Sequence, residues 1–256
     1  MPVRSHKNRQ LVEAARLHRA QERRDRGQTL IEGPHVLEEA LAAGVTPVSL
    51  FALEDDELTR ELAAARHIDL LLVDDMGLAR VAGTKSPRGP VALIEIPEGG
   101  SLGDGPGVLV SWGVGDPGNV GTMIRIAAAF GWVFAYTEGT ADPWSPKVLR
   151  AGAGAQFRSR PVPISGLEDL TGAGYTPVAT VVDGGDPPDL LGQERYAVLV
   201  GEEAAGLPAD VADQAATKVT ILMPGGTESL NAAVAAAIVM YELSKYRVPG
   251  TKYGEQ

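Results

Sequence analysis

The stretch that decides the fold, VGDPGNVGTMIRIAAAFG at residues 114–131, joins a glycine-rich turn to an amphipathic helix. An apolar strand, VLVSW, precedes this stretch, and a second strand, WVFAYT, follows it. Strand, turn, helix and strand in this order are typical of an α/β fold. Arg125 is the one cation of an otherwise apolar helix, so the pattern raises the question of what this arginine does.

Two functional interpretations of this turn compete. Gly113-x-Gly115-x-x-Gly118 between a strand and a helix, with Glu138 twenty residues later, fits a dinucleotide-binding fingerprint. Pro117 is unfavourable in that site, because it removes a backbone N–H that would face the pyrophosphate. In the second interpretation Asn119 caps the helix, and Arg125 binds a phosphate or stabilises a forming alkoxide. A structural role for Arg125, paired with a carboxylate, is equally compatible with this stretch alone.

The rest of the chain predicts an α/β protein of two domains. Strands and helices alternate on both sides of PEGGSLGDGPG, a stretch at residues 97–107 that is rich in glycine and proline. We therefore expect a small N-terminal α/β domain at residues 1–97, a linker at 98–106 and a second α/β domain at 107–256.

Composition excludes several classes of protein. The chain has no cysteine, which excludes disulfides and thiolate metal sites and fits a cytoplasmic location. Its four histidines all lie within the first 67 residues without ligand-like spacing, so we expect no metal. No apolar run is long enough to span a membrane, and the first ten residues lack the apolar core of a secretory signal.

Charge is distributed unevenly along the chain. The net charge is −10, yet the first 30 residues carry eight lysines and arginines against three acidic residues, a local net of +5. Such a basic segment on an acidic protein is typical of an arm that contacts nucleic-acid phosphates. An ordinary solvated helix face is the alternative. If the arm binds RNA, its candidate contacts are Arg19, Arg23, Arg24 and Arg26.

Two further stretches place polar residues directly after apolar strands. VLVGEEAAGLP, at residues 198–208, puts Glu203 at a strand end, where open α/β sheets bind ligands. ILMPGGTESLNAAVAAAIVMYEL, at residues 221–243, leads from a Pro-Gly-Gly turn into a long helix that Thr227 or Ser229 is expected to cap. Taken singly, each stretch also fits an ordinary turn or a well-capped core helix.

Taken together, three motifs resemble a known family. DPGNVGTMIR, VGEEAAG and LMPGGTESLNAAVAAA, in this order and spacing, resemble the motifs of the SpoU (TrmH) family of RNA ribose 2′-O-methyltransferases, within the SPOUT superfamily. This resemblance covers about residues 107–246. LIEGPHVLEEAL and GTKSPRGPVALI resemble the family's N-terminal substrate-binding domain, which is similar to a ribosomal-protein RNA-binding fold.

The resemblance implies a C-terminal trefoil-knot domain that binds S-adenosyl-L-methionine and acts as a homodimer. It implies five catalytic positions, at Arg125, Asn119, Glu203, Ser229 and Asn231. It also implies cofactor contacts at Gly201, Gly206, Ile221, Met223 and Leu230. The chain departs from the family pattern at Glu202, where the family often has Asn, and at Pro224, which follows the methionine instead of preceding it.

The function that we predict is S-adenosylmethionine-dependent 2′-O-methylation of a ribose in structured RNA. We favour 23S rRNA, because the basic arm and the separate N-terminal domain resemble the rRNA branch of the family. The alternatives are a tRNA methyltransferase, a non-catalytic RNA-binding protein with the same fold and, more distantly, a dinucleotide-dependent oxidoreductase.

A homodimer is also indicated by the last predicted helix. AAVAAAIVMYELSKY is apolar almost all round until Glu242, which is typical of a helix buried on two sides. We expect one side to cover the sheet of its own domain and the other to contact a second copy, with the apolar helix of MIRIAAAFGW as a candidate partner.

Overall fold

The computed structural model describes residues 8–87, 89–103, 105–192, 194–226 and 228–245. Its ten strands are β1 (Gln28–Glu32), β2 (Ser49–Leu53), β3 (Asp69–Val73), β4 (Val91–Glu95), β5 (Gly107–Ser111), β6 (Val133–Tyr136), β7 (Val162–Pro163), β8 (Thr176–Thr180), β9 (Tyr196–Val200) and β10 (Thr217–Val219). Its eleven α-helices are α1 (Arg9–Ala15), α2 (Ala20–Arg26), α3 (Pro34–Ala42), α4 (Glu57–Arg66), α5 (Asp75–Ala82), α6 (Pro117–Ala129), α7 (Pro146–Ala151), α8 (Gln156–Ser159), α9 (Leu167–Gly172), α10 (Ala209–Gln214) and α11 (Ala232–Ser244).

The described residues form two compact units. The first contains the residues up to Glu98 and, in addition, Asp142–Arg158; the second contains Gly99–Ala141 and the residues from Ser159 onward. We expected an N-terminal domain that is contiguous in sequence, whereas the structure groups a segment from the middle of the chain with it.

The first unit is built on a four-stranded mixed sheet of order β1-β4-β2-β3. β4 runs antiparallel to both of its neighbours, and β2 and β3 are parallel. Because side chains alternate across a strand, Leu30 and Phe51 are buried with α1 and α5 on one face, while Ile31 and Leu50 are buried with α3 on the other.

Residues 142–158 complete the core of the first unit. Trp144, Leu149 and Phe157 are buried in the same cluster as Ile31 and Leu50. Two polar contacts add to this packing: Thr29 Oγ1 donates to the Trp144 carbonyl at 2.6 Å, and Arg150 forms a 2.9 Å ion pair with Glu32. The segment is therefore an integral layer of the unit, because removing it would expose large apolar side chains to water.

The second unit contains a six-stranded, all-parallel sheet of order β10-β8-β9-β5-β6-β7. β5 and β9 lie side by side in its centre, and all five residues of each are buried. The chain runs outward from β5 through β6 to β7 and then crosses to the other half of the sheet. The carboxyl ends of β5 and β9 thus form a topological switch point, where open α/β sheets bind ligands.

The segment that we expected to be a linker is held by the second unit. Tyr175 Oη donates hydrogen bonds to the carbonyls of Leu102 and Gly103, at 2.9 and 3.1 Å. Arg195 stacks on the Tyr175 ring at 4.2 Å and donates to the carbonyls of Gly103 and Gly105. Glycine-rich composition indicated a linker, and these contacts fix its backbone through the carbonyl groups of Leu102, Gly103 and Gly105.

Candidate active site

The helix that follows the glycine-rich turn begins differently from our expectation. Asp116, not Asn119, is the N-cap of α6: its Oδ1 accepts the backbone N–H of Asn119 at 2.8 Å, and Pro117 occupies the first helical position. The Asp116 carboxylate therefore occupies the helix N-terminus, where a dinucleotide pyrophosphate would have to bind. This cap also leaves the side chain of Asn119 free for other contacts.

Asn119, Glu203 and Asn231 form one hydrogen-bonded cluster. Asn119 Nδ2 donates to Glu203 Oε1, and Asn231 Nδ2 donates to Asn119 Oδ1 at 2.8 Å and to Glu203 Oε1 at 3.3 Å. The three side chains come from the three separate motifs, at the start of α6, after β9 and at the start of α11. The fold thus brings together three of the five residues that we predicted to be catalytic.

Asn231 has a second role at the start of α11. Its Oδ1 accepts the backbone N–H groups of Ala233 and Val234, at 3.0 and 3.2 Å, so Asn231 is the N-cap of this helix. We expected Thr227 or Ser229 to be the cap. Thr227 lies outside the described residues, and Ser229 lies two residues before the observed cap. One asparagine side chain therefore both ends the loop and orients the polar cluster.

A cleft of about 210 Å³ opens beside this cluster at the carboxyl end of the sheet. All five predicted cofactor residues line it, as do Glu203 and the predicted catalytic Ser229: the five are Gly201, Gly206, Ile221, Met223 and Leu230. Gly201 is buried, and a Cβ there would lie 2.2 Å from the Gly206 carbonyl carbon. Only glycine therefore permits the tight turn that brings residues 201–206 back along the cleft.

Arg125 lies outside the hydrogen-bonded cluster. It is exposed on α6, and it forms no ion pair or hydrogen bond within the part of the chain that the structure describes. The structural interpretation, in which a carboxylate neutralises this cation, therefore has no support in the described residues. A guanidinium without a protein partner is free to bind an anionic ligand.

The four arginines that we predicted to contact RNA differ in their surroundings. Arg23 is buried, at 3% exposure; its Nε and Nη2 donate to Asp142 Oδ2 at 2.8 and 2.6 Å, and its Nη1 donates to the Leu17 carbonyl. Its predicted contact with RNA is therefore wrong, because the guanidinium is used inside the protein. Only the partner Asp142, 119 residues away, could have indicated this burial.

Arg26 is also engaged, although at the surface. It forms 2.9 Å ion pairs with Glu13 and Glu22, and its hydrogen bond to Glu13 lowers the pKa of that carboxyl. Arg19 and Arg24 are exposed, and the hydrogen bond of Arg24 within the described residues goes to the neutral Gln21. These two arginines are the members of the predicted set whose charge is available to a ligand.

Two properties concern the whole described part of the chain. Within it, no helix combines the length and apolar character that crossing a membrane requires. Its His, Asp and Glu side chains form no group of three or more that could hold a metal ion.

Comparison with known proteins matches both halves of the chain to family models. Residues 106–241 match the SpoU rRNA Methylase family, and residues 8–92 match the MRM3-like substrate binding domain. The second model ends well before Asp142–Arg158, so it does not include the segment that completes the first unit.

Similar proteins and structures extend over nearly the whole chain. The 23S rRNA (guanosine(2553)-2′-O)-methyltransferase RlmP of Bacillus subtilis is 32% identical over 94% of this chain and 98% of its own length. A crystal structure of an RNA 2′-O ribose methyltransferase has a TM-score of 0.81 at 29% identity, covering 96% of this chain and 99% of its own. The AdoMet-bound rRNA methyltransferase of Sinorhizobium meliloti has a TM-score of 0.85 at 25% identity, covering 97% and 98%. The family match, the full-length similarity and the clustering of the three motifs identify the chain as a methyltransferase that belongs to the SpoU rRNA methylase family.

Proposed function

We propose that this protein methylates the 2′-oxygen of a ribose in 23S rRNA. The observation that carries the proposal is the cluster of Asn119, Glu203 and Asn231, which places a carboxylate at the edge of the cleft at the carboxyl end of the sheet. The similarity to RlmP of Bacillus subtilis, an enzyme named for 2′-O-methylation of 23S rRNA, supports this substrate.

The cofactor is S-adenosylmethionine, which when bound supplies a methyl group activated by a sulfonium. The cleft fits this ligand in its chemistry: apolar side chains such as Val200, Ile221 and Leu230 suit the adenosine, while Ser229 and the turn backbone offer polar groups. At Gly206 the backbone is open to a ligand, because a Cβ built there would meet no described heavy atom within 4 Å.

The chain's own residues must make a ribose hydroxyl nucleophilic. That hydroxyl is a poor nucleophile at neutral pH, so developing negative charge on its oxygen has to be stabilised in the transition state. We assign this role to Arg125, whose guanidinium stays protonated in proteins and is free of protein partners among the described residues. Glu203, or a phosphate of the substrate, accepts the hydroxyl proton.

Asn119 and Asn231 hold Glu203 in place for that role. Both amide donors converge on its Oε1, and Asn119 is 92% buried within its helix turn. The carboxylate is therefore fixed in orientation before substrate binds, which lowers the cost of reaching the reactive geometry.

The RNA is bound, in this proposal, by the first unit through Arg19 and Arg24. Their exposed charges are on the same short helical arm, and the match to a substrate binding domain covers this arm. A tRNA substrate is the second candidate, but an arm and a separate substrate domain are better suited to a large, structured rRNA target. Action on ribosomal RNA is the reason that we also propose a cytoplasmic location.

A homodimer and a trefoil knot in the second unit remain part of the proposal. α11 carries an exposed apolar stripe at Val234, Ile238 and Tyr241, spaced so that all three side chains lie on one face of the helix. α6 packs against α11 within the same unit, so the partner helix of our sequence prediction is already engaged there. The exposed stripe is the surface that a second copy would cover.

The test is a map of 2′-O-methylated nucleotides in 23S rRNA and tRNA from cells with and without the protein. Purified protein with radiolabelled S-adenosylmethionine and unmodified transcripts of each RNA identifies the direct substrate. We expect methyl transfer to 23S rRNA alone. Methyl transfer to tRNA alone would contradict the proposal and favour a tRNA methyltransferase.

A further inference from the structure

The charged side chains that line the cofactor cleft are all acidic among the described residues. Among the described residues that line it, Glu202 and Glu203 are acidic and none is basic. The Glu203 carboxylate is occupied by the amide donors of Asn119 and Asn231. Glu202 differs, because its side chain has no hydrogen bond or ion pair within the described part of the chain.

Glu202 also lies beside the glycine-rich turn that leads into α6. Its Oε1 is 3.8 Å from the position that a Cβ would occupy on Gly115, in the turn that leads to Asp116 and α6. Its backbone carbonyl accepts the N–H of Gly206 at 2.7 Å, which fixes the base of the side chain in the 202–206 turn. The carboxylate therefore lies between the cleft and the turn that leads to α6.

We propose that Glu202 is a specificity-determining residue that distinguishes the methyl donor from its demethylated product by charge. This inference rests on the proposed function. S-adenosylmethionine has a sulfonium, an ammonium and a carboxylate, hence a net charge of +1, whereas S-adenosylhomocysteine has lost the sulfonium charge and is neutral overall. A carboxylate that lines the cleft attracts the net positive charge of the first ligand and finds no net charge to attract in the second.

The consequence is protection of the enzyme from its own product. The methyl transfer itself converts a cation into a neutral thioether, so the attraction disappears when the methyl group leaves and the product dissociates more readily. Because Glu202 is exposed to solvent, its effect is moderate: with solvent screening, one charge changes the relative affinity of the two ligands by roughly threefold to tenfold.

The experiment measures dissociation constants of S-adenosylmethionine, S-adenosylhomocysteine and sinefungin by calorimetry, for the wild-type protein and Glu202→Gln. Sinefungin carries an amine in place of the sulfonium and serves as a second cationic probe. We expect Glu202→Gln to weaken both cationic ligands roughly threefold to tenfold at low salt and to leave S-adenosylhomocysteine nearly unchanged. Glu202→Asp, which keeps the charge, should retain most of the preference for the two cationic ligands over S-adenosylhomocysteine.

The matched control is Glu228→Gln, which removes an exposed glutamate that does not line the cleft, in the loop before α11. Equal weakening of all three ligands by Glu202→Gln overturns the inference, because it means that Glu202 binds the ammonium group that they share. An unchanged affinity ratio overturns it as well. If the wild-type protein binds none of the ligands, the proposed function itself fails instead.

Discussion

Asn231 donates a 2.8 Å hydrogen bond to the side-chain oxygen of Asn119, although 112 residues separate the two in sequence. The bond ties the start of α11 to the start of α6, and both asparagines also contact Glu203. Two helix starts and one strand end are thus joined by a single polar cluster, so the orientation of Glu203 depends on residues from all three motifs.

The two roles of Asn231 can be separated by substitution. Asn231→Ala should cost about 1 kcal/mol of stability, because the helix cap is lost, and should also reduce turnover. Asn231→Ser keeps a capping oxygen but is too short to reach Asn119, so it should reduce turnover with little loss of stability. Urea denaturation and methyl-transfer assays on both variants test this. Full activity of Asn231→Ser would show that the bond to Asn119 does not orient Glu203.

Arg125 should be needed for turnover but not for folding. Arg125→Ala removes an exposed side chain without a protein partner in the described residues, so stability and cofactor affinity should stay nearly unchanged. Turnover should fall by roughly 10² to 10³, the effect of removing one preorganised donor to a developing oxyanion. Single-turnover assays measure the loss. A variant that keeps more than about a third of wild-type activity would contradict the assigned role.

The arginines of the arm should divide into two classes. Replacing Arg19 and Arg24 by Gln should weaken RNA binding and reduce the log–log salt dependence by up to about 0.7 to 0.9 for each phosphate contact that is lost. Binding measured over a range of salt concentrations tests this. An unchanged salt slope would assign both residues to an ordinary solvated helix.

Arg23→Gln is the matched control in the same helix. It breaks an ion pair whose arginine is buried and whose aspartate is 29% exposed, so we expect a loss of about 1 to 3 kcal/mol of stability. Its RNA affinity per folded molecule should stay the same. Chemical denaturation measures the loss of stability, and RNA binding corrected for the fraction of active protein measures the affinity of the folded molecules.

A charged residue placed on the exposed stripe of α11 should prevent dimerisation without unfolding the protein. Tyr241 is 51% exposed and Met240 is fully buried, so Tyr241→Glu should yield folded monomers, whereas Met240→Glu should unfold the second unit. Sedimentation and circular dichroism of both variants test this. A wild-type protein that sediments as a monomer of 26.8 kDa with full activity would contradict the dimer.

Local patterns predicted most elements of the second unit, because its motifs combine apolar strands with turn and capping residues at short range. The true cap of α6 was also readable: Asp116 directly before Pro117 is a typical helix start. The apolar residues among the charges of residues 8–26 favour one continuous helix, but the extended backbone of Arg19 separates α2 from the preceding turn. Apolar spacing alone does not reveal such a break.

Long-range partners account for what the sequence did not indicate. α7 belongs to the first unit because Trp144, Leu149 and Phe157 pack into a core built from residues between Ile31 and Ile94. The burial of Arg23 depends on Asp142 in the same segment. No local pattern contains either relationship.

Because residues 142–158 belong to the first unit, the chain passes between the two units three times, at residues 98–99, 141–142 and 158–159. The first unit therefore cannot be moved to another protein by cutting the chain once, at the glycine-rich segment. A fragment beginning at residue 107 keeps Trp144, Leu149 and Phe157 but loses the core that buries them. Chimeras that exchange RNA specificity between relatives must exchange both pieces together, with the Arg23–Asp142 and Glu32–Arg150 pairs taken from the same parent.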